Sequence, residues 1–187
     1  MWASEESTVR SFSAMDNLVV TPASLVTETN LCSSRLGPRS SRLDLASRLA
    51  LLAVESLAPK FDTVPRDRIA ICLAARAGSL STDVEYWKGR ALVGGPSPTL
   101  FAYTLPSAAI GEIAIRHRLT GPNLCFVGGD AELLAEAREL IYRGEAEGCV
   151  CVSCNIVTAE AAALIHELPL TRACAFFVTA GGEGRGP

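Results

Sequence analysis

Apolar positions along the chain follow two rhythms: short continuous runs, and longer stretches repeating near 3.6 residues. Leu18, Val19, Val20, Leu25 and Val26 suit a first strand and its exit. Residues 28–42 are rich in Ser, Arg, Gly and Pro and read as a mobile loop. Ser40 or Ser41 can cap the following helix, with Asp44 in its first turn. Leu45, Leu49, Leu52 and Ala53 then share one helical face, widened by Leu43, Ala46, Ala50 and Leu57 until Pro59 ends it. A face this wide predicts a helix lying on a sheet. Residues 68–75 (RIAICLAA) form a continuous apolar run, as expected of a strand covered on both faces.

Gly78 opens a turn, and Ser81 or Thr82 can cap a helix running through Trp87 to Arg90. Gly94, Gly95, Pro96 and Pro98 mark a loop. Residues 104–118 predict a helix with Pro106 in its first turn and Leu105, Ala108, Ala109, Ile113 and Ile115 as apolar positions. Gly121 and Pro122 interrupt the chain before a strand at Leu124–Val127. Ala131–Tyr142 is amphipathic, with Leu133, Leu134, Ala137, Leu140 and Ile141 inward and Gly144 as its stop. Residues 148–154 read as a strand, 158–166 as a short Ala-rich helix or turn, and 172–180 as a last strand. This alternation predicts an α/β fold with a mostly parallel five-stranded sheet and helices on both faces. No long helix separates the last two strands, which allows an antiparallel edge. A flexible arm (1–16) and a disordered tail (181–187) are expected to flank one domain, 17–180, and either Met1 or Met15 can serve as the start.

Composition narrows the function classes. Of 187 residues, 49% are apolar and 20% charged, enough to bury a core and too apolar for wholesale disorder. A net charge of -3 argues against a nucleic-acid partner. The most apolar stretch, 43–58, contains Asp44, Arg48 and Glu55, so no membrane span is expected. Residues 1–20 show no secretory pattern, and five of the seven cysteines lie in apolar segments; reduced thiols and a cytoplasmic location are expected. Cys149 and Cys151 fall on one face of a strand and Cys154 on the other, without zinc-ligand spacing, so neither a metal nor a cofactor is expected. The two histidines are His117, expected exposed at a helix end between Arg116 and Arg118, and His166, which has no evident partner. Neither reads as a catalytic base.

Residues 97–123 (SPTLFAYTLPSAAIGEIAIRHRLTGPN) carry Ser-Pro, then Phe, Thr-Leu-Pro, Gly-x-Ile-Ala and Gly-Pro in order. This block resembles a signature of the β-ketoacyl synthase family. RLDLASRLALLAVESLA resembles the helix before the first buried strand of those enzymes, and ELIYRGEAEGCVCV their helix, turn and strand after the nucleophile. The resemblance covers about residues 17–180 and implies the N-terminal half of a thiolase-like duplicated α/β unit. In the family a cysteine nucleophile follows the Gly-Pro and a short strand; counted without gaps, that position is Asp130. The family's two catalytic histidines come from the C-terminal half. A carboxylate is a far weaker nucleophile than a thiolate toward a thioester. The resemblance therefore implies a degenerate nucleophile position and no catalytic residue.

Two readings of Gly128, Gly129 and Asp130 stand side by side: a tight turn with Asp as helix cap, or a remnant pocket whose N–H groups hold an anion. By the resemblance, Phe101, Tyr103, Thr104 and Leu105 line a dimer contact, and Asn123, Leu124, Cys125, Phe126 and Val127 form an interface strand. Arg116 and Arg118 are candidates for docking an acidic acyl carrier protein, with Arg35, Arg39, Arg42 and Arg48 as a second basic run. Glu112 is expected on the polar face of its helix. The expected function is a non-catalytic, chain-length-factor-like or scaffolding subunit of dissociated fatty-acid or polyketide (for example polyene) biosynthesis. It would form a homodimer, or a heterodimer with a full-length ketosynthase. The alternatives are a carrier-protein-binding module without a synthase partner, and an acyl-thioester-processing enzyme using Asp130.

Overall fold

The computed structural model describes residues 18–22, 25–31, 36–92 and 94–181. The arm at 1–16, the tail beyond Gly181 and Arg35 lie outside them. The strands are β1 (Leu18–Pro22), β2 (Val26–Thr27), β3 (Ile69–Ala74), β4 (Asn123–Phe126), β5 (Gly148–Val157) and β6 (Leu170–Ala180). The helices are α1 (Glu28–Leu31), α2 (Leu45–Glu55), α3 (Leu80–Gly89), α4 (Pro98–Phe101), α5 (Ala108–His117), α6 (Asp130–Tyr142) and α7 (Ala159–Ile165), with 3-10 turns at Pro38–Arg42, Ala58–Thr63 and Arg66–Arg68.

The sheet has six strands in the order β1-β6-β5-β3-β4, with β2 also on β6. It is mixed, which corrects the expectation of five mostly parallel strands. Only β4, β3 and β5 run parallel; β6 is antiparallel to β5, and β1 and β2 are antiparallel to β6. The reason is the connection at 158–169. α7 is too short to carry the chain back across the sheet, so β6 returns alongside β5. The long pairing from Gly148↔Thr179 to Val157↔Leu170 is the result.

Alternation in the strands builds two cores. Ile69, Ile71 and Leu73 join Val150, Val152 and Phe177 beneath Leu49, Ala53 and Val54 of α2 and Ile110 and Ile113 of α5. Ala70, Cys72 and Ala74 face the other way, with Cys149, Cys151 and Val178, beneath Leu133, Leu134 and Ala137 of α6. All six residues of β3 are buried, as its unbroken apolar run predicts.

The caps differ from expectation because the hydroxyls are engaged elsewhere, locally for Ser40 and Ser41 and in tertiary bonds for Ser81 and Thr82. Ser40 and Ser41 donate to the Gly37 and Pro38 carbonyls inside a 3-10 turn within the segment expected to be a loop. Asp44 itself caps α2, accepting the Ser47 N–H at 2.9 Å. Its second oxygen accepts the Thr82 hydroxyl at 2.7 Å. Ser81 bonds the Ile156 carbonyl and accepts the Thr158 N–H, so it too sits inside α3 rather than capping it. Thr82→Val should lower unfolding stability by about 1–3 kcal/mol, because the largely buried Asp44 carboxylate loses a hydrogen-bond donor. The urea midpoint at unchanged slope measures this.

Helix α5 starts at Ala108, not at 104. Thr104–Ser107 form a turn in which Pro106 approaches Gly78, a residue with φ +57°. Leu105 and Ile115, two of the apolar positions of the expected helix, are 64% and 74% exposed.

Candidate functional site

The segment that the resemblance makes central is the turn from β4 into α6. β4 is short and pairs only with β3, so among the described strands it is a sheet edge. The Ile71 and Ala75 N–H groups donate to the Pro122 and Phe126 carbonyls. Backbone groups alternate sides along a strand, so those of Asn123 and Cys125 point away from the sheet. Next to this edge, Val127 is 72% exposed.

Gly128 is favoured by close approach rather than by an unusual backbone angle. A Cβ there would lie 3.0 Å from the Phe126 ring. Gly129 is the N-cap of α6 and Asp130 its first residue, so the cap belongs to Gly129 and not, as expected, to Asp130. Glu132 reaches back and its Oε2 accepts the Gly129 N–H at 3.1 Å. Two carboxylates thus occupy the first turn, the arrangement that compensates a helix N-terminus. One N–H that an anion would use is already taken.

Among the described residues, no thiol stands at the turn. Cys72, Cys149 and Cys151 lie within the core under α6, with the Cys151 and Cys149 sulfurs 3.7 Å apart. The thiols of Cys72 and Cys149 are pushed up first by hydrogen bonding to a neighbouring cysteine and then by burial. Burial pushes up Cys151, Cys154 and Cys125. Among the described residues, no group of three or more His, Cys, Asp or Glu side chains is placed to hold a metal ion. No helix there is long and apolar enough to cross a membrane.

His117 is not assembled with Asp130. α5 ends where the chain turns into the start of β4, so His117 lies at the opposite end of that strand. It is not exposed as expected: its side chain is 8% exposed and packs edge-on against Phe61. Burial pushes its pKa down. His166 is an exposed left-handed cap at the end of α7, φ +56°.

The second candidate stretch folds beside the sheet's C-terminal end. Phe101 is 59% exposed and leans on Tyr86 with ring centroids 5.4 Å apart. The Thr104 hydroxyl donates to the Phe101 carbonyl. The Tyr103 hydroxyl donates to Glu112 at 3.0 Å, and its pKa is pushed up to about 12, first by burial and then by that carboxylate. The i, i+9 spacing of this pair lies across a turn and carries no periodic signal, so the sequence leaves Glu112 on a polar face.

The candidate docking arginines are not equivalent. Arg116 pairs with Glu55 and donates to the Leu36 carbonyl at 3.1 Å. Arg118 is exposed, with φ +55°, where α5 ends. Arg42 and Arg48 instead line a groove of about 520 Å³ with Ser41, Glu85, Ser97 and Thr99. The Arg48 Nε is buried without a hydrogen-bond partner among the described residues.

No family model matches the chain, and no curated protein matches it. Solved structures do. The ishigamide ketosynthase/chain length factor superposes with a TM-score of 0.74 at 20% identity, over 91% of this chain and 64% of that one. The fold is the ketosynthase fold. A ketosynthase (ApeO) in complex with its chain length factor (ApeC) from Xenorhabdus doucetiae gives 0.66 at 21% identity, over 80% of this chain and 63% of that one. A type II PKS acyl-carrier protein in complex with its ketosynthase bound to the hexaketide (AntDE:AntF) gives 0.65 at 15% identity, over 86% and 62%. The chain thus spans somewhat under two thirds of the length of these ketosynthase-fold chains.

Proposed function

We propose that this chain is a non-catalytic, chain-length-factor-like subunit that pairs through the free edge of β4 with a full-length ketosynthase in dissociated fatty-acid or polyketide biosynthesis. One observation carries the reading: the β4–α6 turn, where the family resemblance places a nucleophilic cysteine, begins its helix with Asp130 and has a carboxylate folded over its first N–H. The unpaired edge, flanked by exposed Val127, gives the pairing its physical motive. The similar structures include ketosynthases with chain length factors and with a carrier protein, which supports the same assignment.

The test is co-expression with a ketosynthase from the same cell. The expected result is an equimolar complex that condenses acyl and malonyl carrier substrates, with no condensation by this chain alone. Asp130→Asn should leave complex formation and product length unchanged. Condensation by the isolated chain, or loss of activity in Asp130→Asn at intact assembly, contradicts the reading and favours the acyl-thioester enzyme.

Carrier-protein binding without a synthase is a second reading, favoured by Arg42 and Arg48 on the same groove, the Arg48 Nε having no hydrogen-bond partner among the described residues. Those two arginines suit an acidic carrier helix better than Arg116, which Glu55 already holds. Arg42→Ala/Arg48→Ala should weaken carrier binding about tenfold at low salt and less at high salt, measured by titration. Equal binding by the variant would leave Arg118 as the candidate.

A further inference from the structure

Away from the β4–α6 turn, the C-terminal ends of α2 and α5 meet over Phe61 and enclose a titratable ring. His117 packs against Phe61 with centroids 5.3 Å apart and planes at 81°. Its Nε2 is buried and has no hydrogen-bond partner among the described residues. Glu55 Oε1, from α2, stands 3.9 Å away, beyond hydrogen-bond reach. The same oxygen pairs with Arg116 Nε, one residue before His117. Arg116 Nη1 in turn donates to the Leu36 carbonyl, just before the 3-10 turn Pro38–Arg42. On the remaining side, Arg66 donates to the His117 carbonyl at 3.3 Å and is itself held by Asp62.

We propose that protonation of His117 is a switch that draws Glu55 from Arg116 and so releases the segment Leu36–Arg42. The argument is one of unequal need. A buried imidazolium has no water to turn to, and Asp62 is engaged by Arg66; Glu55 is the carboxylate within reach. Arg116 is about one-third exposed and can be hydrated instead. Once Arg116 lets go of Glu55, the geometry that aims its Nη1 at Leu36 is lost. The two neighbouring guanidiniums oppose a third cation, which sharpens the competition for one carboxylate. Burial also holds the ring neutral at neutral pH, so the switch operates below the ordinary histidine range. The released segment leads directly to Arg42, on the rim of the 520 Å³ groove.

The experiment is a pH titration by NMR from 7.5 to 5, with His166→Gln used to assign the two imidazole signals. Hydrogen-exchange protection, corrected for intrinsic rates, is read at Ser40 and Leu43, whose N–H groups bond the Gly37 and Ser40 carbonyls. Protection should fall about tenfold in step with the His117 ring, the loss expected for one charge-assisted hydrogen bond. His117→Phe keeps the contact with Phe61 and should abolish the pH dependence; His117→Gln serves if it does not fold. Glu55→Gln should loosen the segment already at pH 7.5. Protection that stays constant while the ring titrates, or an acid-dependent loss that persists without His117, overturns the proposal.

Discussion

Cys125→Pro is expected to leave this chain folded and, if the proposed pairing through β4 holds, to weaken its association with a partner. The in-sheet bonds of β4 are made by even-numbered residues, as the Ile71→Pro122 and Ala75→Phe126 bonds show. Cys125 points its N–H outward, so proline there removes a donor the sheet does not use. A partner strand meets a missing donor and a ring in its path instead. An orphaned acceptor costs about 1–3 kcal/mol, and the clash adds to it, so association should weaken about 100-fold or more. Sedimentation over a concentration series reads the effect, with circular dichroism as the control on folding. Unchanged association in the proline variant would place the contact elsewhere, with exposed Phe101 and Leu105 next to be examined.

Two glycine substitutions should move stability in opposite directions. A Cβ at Gly121 would lie 2.3 Å from the Ile69 carbonyl oxygen and 2.7 Å from its carbon. Both are backbone atoms of the buried strand β3, so neither can swing aside. Gly121→Ala must separate the 118–122 connection from β3, and should cost about 3 kcal/mol, the upper range for overpacking. Gly111 lies inside α5, where a Cβ meets nothing within 4 Å. Gly111→Ala should therefore stabilise by about 0.5–1 kcal/mol through helix propensity. Paired urea denaturation curves test both. A tolerated Gly121→Ala would mean that the approach of the Gly-Pro segment to Ile69 is looser than described.

These expectations rest on features that differ in how far the sequence discloses them. β3 was readable because six consecutive buried positions leave no room for polar alternation. α6 was readable because its inward residues keep a helical repeat. The antiparallel half of the sheet was only partly readable. The short 158–169 connection permits an antiparallel β6, but nothing local to β1 and β2 says that they return to its far side. The helix caps were misplaced for a definite reason. Ser81 and Thr82 have the chemistry of caps, but the tertiary fold supplies Ile156, Thr158 and Asp44 as stronger claims on their hydroxyls.

At the candidate site, the sequence places Asp130 by counting from Gly121-Pro122, and the structure makes it the first residue of α6. The burial of His117 does not follow. Its flanking arginines argue for a solvated helix end, whereas Phe61, far away in sequence, closes over the ring. Likewise Arg116 and Arg118 look alike in sequence, and only the position of Glu55 shows that one of them is already held. Contacts between residues distant along the chain are what composition and periodicity leave unstated.

The most direct measurement is the intact mass of each subunit after the chain and a full-length ketosynthase are incubated together with an acyl thioester. The account predicts that the ketosynthase alone gains the acyl mass, while this chain is recovered unmodified from the same complex. An acyl adduct on this chain, at Asp130 or at Cys125, would contradict it.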